Sequence, residues 1–287
     1  MTVPRPLLSP EWLAENLDES SLRILDATAM LIPGEKGEIS TKSGRALWEE
    51  AHVPHSSHVD LIEVSDQDPP FSSLPGAQDF AERMSALGVG EGIHVVAYDN
   101  GVGVFATRLW WLLRVYGFDS VSVLDGGFAA WQSGGYPVST EPGPGHPPAA
   151  FEPEFRPELV VDTGQVEEQV AERSGCLINA LTPELHRGEG AIGYGRPGRI
   201  PGSINMPSHS FVDSETHRYL SRDEVRALAE DAGALDPDLT VATYCGRGLG
   251  ATMTAFGLAL AGRDDVAVYD GSLQEWTADP ERPVETG

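Results

Sequence analysis

The sequence predicts an α/β protein made of two homologous halves, each a largely parallel sheet flanked by helices. Three observations predict it. The chain repeats itself: "VVAYDNGVGVFATRLWWLL…VSVLDGGFAAW" (95–131) returns as "VATYCGRGLGATMTAFGLA…VAVYDGSLQEW" (241–276), with nearly constant spacing between copies. Short β-rich runs alternate with amphipathic stretches, the pattern of strands joined by helical crossovers. A proline- and glycine-rich stretch, "STEPGPGHPPAAFEPEFRP" (139–157), lacks apolar periodicity and reads as an extended surface linker between the copies.

Taken in order, "LRILDAT" (22–28) supplies a strand over 22–25 and pairs with "CLINALT" (176–182), a strand over 177–179. "HVPHSSHVDL" (52–61) pairs with "RIPGSINMPSHSF" (199–211). Segments 77–87 and 222–232 carry apolar residues at helical spacing. The runs 94–98 and 121–124 complete the first half as strands, and 240–244 and 266–269 do so in the second. Ligands of parallel sheets bind beyond the carboxyl ends of the strands. Cys245 stands at such an end.

At 287 residues the chain is long enough for two domains of ordinary size. Its formal net charge is −25, and Lys36 and Lys42 are the only lysines. That balance argues against nucleic acid or an anionic membrane as partner. The opening "MTVPRPLLSPEWLAENL" has no uninterrupted apolar core, and no stretch approaches the ~20 apolar residues a membrane span needs. A soluble, cytoplasmic protein is the expectation. Cys176 and Cys245 are the only cysteines, so there is no disulfide framework, cysteine-rich metal site or C-x-x-C pair. Neither a metal nor a cofactor is expected.

Cys245 opens the loop "CGRGLG", followed by a helical segment at 251–260. Glycines 246, 248 and 250 permit backbone conformations that aim N–H groups inward, and the helix adds its positive end. Such a cradle favours a thiolate nucleophile. Cys176 begins an apolar strand without a cradle and reads as a structural cysteine. A tyrosine-phosphatase-like loop would need an arginine six positions after the cysteine, where Ala251 stands. A Cys–His hydrolase would need His186, His209 or His217 as base, and no local signature supports one.

The duplicated halves, "HVPHSSHVDL" and "RIPGSIN", the paired "VLDGGFAAW" and "VYDGSLQEW", and a cysteine loop in the second half alone resemble the two-domain rhodanese (sulfurtransferase) family over nearly the whole chain. The resemblance implies an inactive rhodanese-like domain at 1–140, a linker at 141–156 and a catalytic rhodanese-like domain at 157–287. It implies that Cys245 takes a sulfane sulfur from a small-molecule donor, becomes a persulfide and passes the sulfur to a thiophilic acceptor such as cyanide or a thiol. In the first half Asp99 occupies the matching place, so that half forms no persulfide.

Gly246 resembles the loops of 3-mercaptopyruvate users, whereas Arg247 resembles those of thiosulfate users. Arg247, with a permanent charge and several donors, suits a sulfonate end. The expected substrate-binding set is Arg247 with Gly246, Gly248, Leu249, Gly250 and Ser272, together with Arg187 or Arg196 as a second cation. Ser272 matches a family serine lying near the persulfide, and Gly250 replaces a loop threonine. Asp270, Gly271 and Trp276 read as turn and core.

Several positions depart from the family pattern. Asn179 and Leu181 stand where an aspartate and an arginine usually pair. Ile62 and Ser72 stand where mercaptopyruvate users carry an aspartate and a histidine, and position 247 is not a serine. The expected activity is therefore thiosulfate sulfurtransferase. The alternatives are 3-mercaptopyruvate sulfurtransferase, or a non-catalytic persulfide carrier or binding module.

Overall fold

The computed structural model describes residues 5–34, 39–65, 74–143, 145–190 and 193–287. Each half contains a five-stranded sheet whose pairings are all parallel. In the first, the strand order is Leu7–Leu8, Val121–Leu124, His94–Tyr98, Leu22–Asp26 and Ser57–His58. In the second, it is Val160–Val161, Ala267–Tyr269, Val241–Tyr244, Cys176–Asn179 and Ile204–Asn205. The two orders correspond strand for strand, so the repeat in the sequence is a repeat in space. The four-residue core strands are buried along their whole length, as strands covered on both faces must be.

Helices start where local chemistry caps them. Ser221 and Glu224 form a reciprocal capping box at the start of Arg222–Asp231, and Asp162 and Gln165 do the same for Thr163–Glu172. The helices that follow the two central strands, Val104–Val115 and Leu249–Ala261, are apolar nearly all round because they pack on each other between the halves. Trp110 meets Phe256 edge to face, with ring centroids 4.9 Å apart. One continuous apolar core runs from Leu25 and Val95 in the first half to Val241 and Val268 in the second.

Two features were not expected. An antiparallel hairpin, Ala29–Pro33 with Ile39–Ser43, leaves the first half, and Ile39 packs on the core of the second. The segment 141–156 is extended, but it is strapped to the first half rather than merely crossing its surface. Phe151 is buried between Phe80 and Phe118, while the amides of Ala149, Glu154 and Arg156 donate to Ser85, Tyr116 and Val115 carbonyls. Burying one phenylalanine offsets part of the entropy of ordering so proline-rich a segment. Among the described residues no helix is long and apolar enough to cross a membrane.

Candidate active site

The strand Val241–Tyr244 delivers Cys245 to the carboxyl edge of its sheet, and Tyr244 anchors that delivery. The buried Tyr244 phenol accepts from Asn179 Nδ2 and the Ile200 amide, both at 2.9 Å. The Ser203 hydroxyl donates to the Ile200 carbonyl, so the Tyr244 hydroxyl donates to Ser203 Oγ at 2.7 Å. Burial pushes the Tyr244 pKa up to about 12, which keeps it a neutral donor. Asn179 also accepts from the Leu181 amide (2.9 Å), as Asp26 accepts from Thr28 in the first half (2.8 Å). The amide at 179 thus makes the same turn without burying a charge.

Ser272 shapes the cysteine loop. Its hydroxyl accepts from the amides of Cys245 (3.1 Å) and Gly248 (3.0 Å) and donates to the Tyr269 carbonyl (2.9 Å). Both lone pairs and the proton are therefore committed to the protein. Ser272 is fully buried at φ 52°, a left-handed conformation that strains any residue with a Cβ; its first-half counterpart is Gly127 at φ 55°. Gly248, at φ 83°, caps the following helix, and a Cβ there would lie 2.4 Å from Asp270 Oδ1. Asp270 is itself gripped by Arg108 from the first half, with bonds of 2.5 and 3.0 Å. Burial raises the Asp270 pKa, and the Arg108 guanidinium draws it back down.

The Cys245 thiol is buried, and its Sγ accepts from the Arg247 amide at 3.4 Å. The amides of Leu249, Gly250 and Ala251, which open the helix, have no hydrogen-bond partner among the described residues. The first half shows what such a hole holds. There Asp99 Oδ1 accepts from the amides of Gly101 and Gly103 (2.8 and 3.1 Å), and Oδ2 from those of Phe105 and Ala106 (both 2.9 Å). Aligned on the helices, Phe105 and Ala106 correspond to Gly250 and Ala251. A carboxylate fills the first hole; in the second, the amides of Gly250 and Ala251 have no partner among the described residues, while that of Gly248, the counterpart of Gly103, donates to Ser272 Oγ.

The remaining expected residues divide. Gly246 lies against the Tyr194 ring, whose Cε1 is 2.3 Å from where a Cβ at 246 would sit. The Arg247 guanidinium is held by two partners: Nε donates to Gln274 (2.8 Å) and Nη1 to the Ile39 carbonyl across the two halves. Burial lowers its pKa, without threatening its charge at neutral pH. Leu249 belongs to the core. Arg187 is paired with Glu189 (3.1 and 2.8 Å), and Arg196 donates to the carbonyls of Asp279 and Arg282. Neither has a described contact with Cys245.

His186, His209 and His217 make no described contact with Cys245 either, and burial pulls His186 down to about 4. Cys176 is a buried strand cysteine whose pKa burial raises, and Ser72 lies outside the described residues. Sequence reasoning missed Tyr194, Ser208, Arg108 and the Ile39 carbonyl. Aligning the repeat could have exposed the Gly127–Ser272 exchange; the other four had no local signal.

Comparison with known proteins gives a consistent answer. The family described as "Rhodanese-like domain" matches residues 9–134 and 179–279. A thiosulfate sulfurtransferase of Cricetulus griseus is 36% identical over 295 residues, covering 99% of this chain and 96% of the relative. A 3-mercaptopyruvate sulfurtransferase of Homo sapiens is 34% identical over 296 residues, with the same coverage. The crystal structure of SseA from Escherichia coli, described under the "rhodanese" fold of 3-mercaptopyruvate sulfotransferases, superposes with a TM-score of 0.78. That match has 29% identity and covers 94% of this chain and 99% of the other.

Proposed function

The chain belongs to the rhodanese-like family, and we propose that it is a sulfurtransferase in which Cys245 carries sulfur from thiosulfate to a thiophilic acceptor. The observation that carries this reading is the pair of matching amide holes. The hole at Asp99 holds a carboxylate, and the hole at Cys245 offers the amides of Gly250 and Ala251, counterparts of two of the four that bind Asp99, to whatever anion the thiol acquires. A persulfide is such an anion.

The chemistry balances without an acid or base. The Cys245 thiolate attacks the outer sulfur of thiosulfate, a new S–S bond forms, and the electron pair of the broken S–S bond leaves with sulfite. Cyanide or a thiolate then attacks the outer sulfur of the persulfide, and the pair returns to Cys245 as thiolate. Covalent storage between two half-reactions predicts ping-pong kinetics. No imidazole or carboxylate makes a described contact with Sγ, which suits a donor needing no proton transfer. Arg247 supports an anionic donor through its charge and its backbone N–H.

3-Mercaptopyruvate is the second reading, favoured by Gly246, whose missing side chain makes room for Tyr194. That donor requires its thiol proton to end on carbon, a task for which a nearby phenol is a candidate. We place the boundary between the inactive and catalytic units within 141–156.

Incubation with each donor, followed by intact-mass measurement and peptide mapping, tests the proposal. One added sulfur on Cys245 from thiosulfate is the expected result, with none on Cys245→Ser. A kcat/KM favouring 3-mercaptopyruvate would exchange the first reading for the second.

A further inference from the structure

We infer that the Ser208 hydroxyl is the side-chain donor to the transferred sulfur, and that residue 250 is glycine so that this hydroxyl can reach it. The inference rests on the reading of Cys245 as the sulfur carrier.

Ser208 follows the edge strand Ile204–Asn205 and opens the turn Ser208–Phe211. Its amide donates to the Ala180 carbonyl at 3.0 Å, which fixes its backbone beside the cysteine loop. Ser208 is half-buried, and its hydroxyl has no hydrogen-bond partner among the described residues. A Cβ placed on Gly250 would lie 3.3 Å from Ser208 Oγ, 3.6 Å from Cys245 Cβ and 3.8 Å from Cys245 Sγ. The hydroxyl and the sulfur therefore flank one methyl-sized gap, and the unpartnered amide of Gly250 belongs to the residue that leaves it.

A sulfur bonded to Cys245 sits about 2.05 Å from Sγ, so the gap is close enough to receive it. Once there it carries the negative charge of the persulfide. The Ser272 hydroxyl cannot serve it, because its proton is given to the Tyr269 carbonyl. The Ser208 hydroxyl has its proton uncommitted, and a bond from it to an anionic sulfur is charge-assisted. Glycine is a poor residue for the first turn of a helix, so helix propensity does not account for Gly250. The gap does: a side chain at 250 would fill the space and press on Ser208 Oγ.

In the loading step the Sγ–S bond forms as the donor's S–S bond breaks and its electron pair leaves with sulfite. Ser208 keeps its proton throughout and lends only a hydrogen bond, which strengthens as charge settles on the outer sulfur. It is thus a substrate-contacting residue that acts on kcat more than on KM.

The test uses the full-length protein and whichever of thiosulfate or 3-mercaptopyruvate loads the wild type. Ser208→Ala should slow sulfur loading about tenfold in rapid-quench intact-mass measurements, with KM within about twofold and an unchanged melting temperature. Ser208→Thr, which keeps the hydroxyl and leaves position 250 open, should retain most of the rate, whereas Gly250→Ala, which fills the gap, should slow loading at least as much as Ser208→Ala. Wild-type loading by Ser208→Ala or by Gly250→Ala, or a Ser208→Thr variant no faster than Ser208→Ala, would overturn the role of Ser208 alone. No mass gain at Cys245 in the wild type from either donor would overturn the sulfur-carrier reading, and this inference with it.

Discussion

Arg108, on a helix of the first half, and Asp270, in a turn of the second, form a bidentate ion pair buried beneath the cysteine loop. Asp270 Oδ1 packs where Gly248 would otherwise carry a side chain, and two residues later Ser272 holds the Cys245 and Gly248 amides. The half without a cysteine thereby helps to position the half that has one.

Arg108→Met should cost about 3–5 kcal/mol, because it strands a buried carboxylate. Arg108→Met with Asp270→Asn removes the charge as well and should recover a large part of that loss. Urea denaturation of the three proteins checks this. A single variant as stable as the wild type would show that the pair contributes little.

Ser272→Gly and Ser272→Ala separate strain from hydrogen bonding. Both lose two accepted bonds, at roughly 1 kcal/mol each. Glycine also relieves the left-handed strain at φ 52°, worth about 1 kcal/mol, whereas alanine keeps it. Ser272→Gly should be the more stable of the two in thermal melts. Sulfur transfer should fall about tenfold or more in both, since the loop amides lose their anchor. Full activity in Ser272→Gly would contradict the anchoring role.

Gly246→Ala forces the Tyr194 ring to move, since the new methyl would lie 2.3 Å from Cε1. A loss of at least tenfold in kcat/KM is the expected result, by analogy with other 1 Å misplacements near reacting atoms. Adding Tyr194→Ala restores the space. If activity returns with it, crowding is the cause; if it does not, the phenol itself serves the reaction. Burial, followed by the neighbouring Cys245, holds the Tyr194 pKa well above its ordinary value, so the phenol stays protonated across the neutral range.

His186 should weaken the fold in acid. Its folded pKa of about 4, lowered first by burial and then by Arg199 and Arg187, lies below the ordinary ~6.5. Below pH 6.5 the unfolded chain binds a proton that the folded chain refuses. Its effect is absent above that pH and grows as pH falls toward 4. The melting temperature of His186→Gln relative to wild type should therefore rise between pH 7 and pH 4.5. A pH-independent difference would argue against a half-buried imidazole held neutral.

The parts legible in the sequence were those written in short range. Strands at 94–98 and 121–124 and the strand-end position of Cys245 follow from β-rich runs and from the internal repeat. The docking of Phe151 and the bond from Arg247 to the Ile39 carbonyl join segments far apart in the chain, and no local pattern announces such meetings. Ser272 was recognised by position, yet its left-handed backbone and fully used hydroxyl are properties of φ and of three-dimensional neighbours. Arg247 is expected to bind the substrate; its guanidinium donates to Gln274 and to the Ile39 carbonyl, contacts that no local pattern in the chain announces.

The Asp99 carboxylate can be regarded as a tethered competitor. Bound within its own chain, it never diffuses away, and a dissolved anion would have to displace four amide bonds at once to replace it. If Cys245 carries the sulfur as proposed, the duplicated fold holds one permanently saturated amide hole and one that fills and empties with each turnover. Excess donor should inhibit or occupy the second alone.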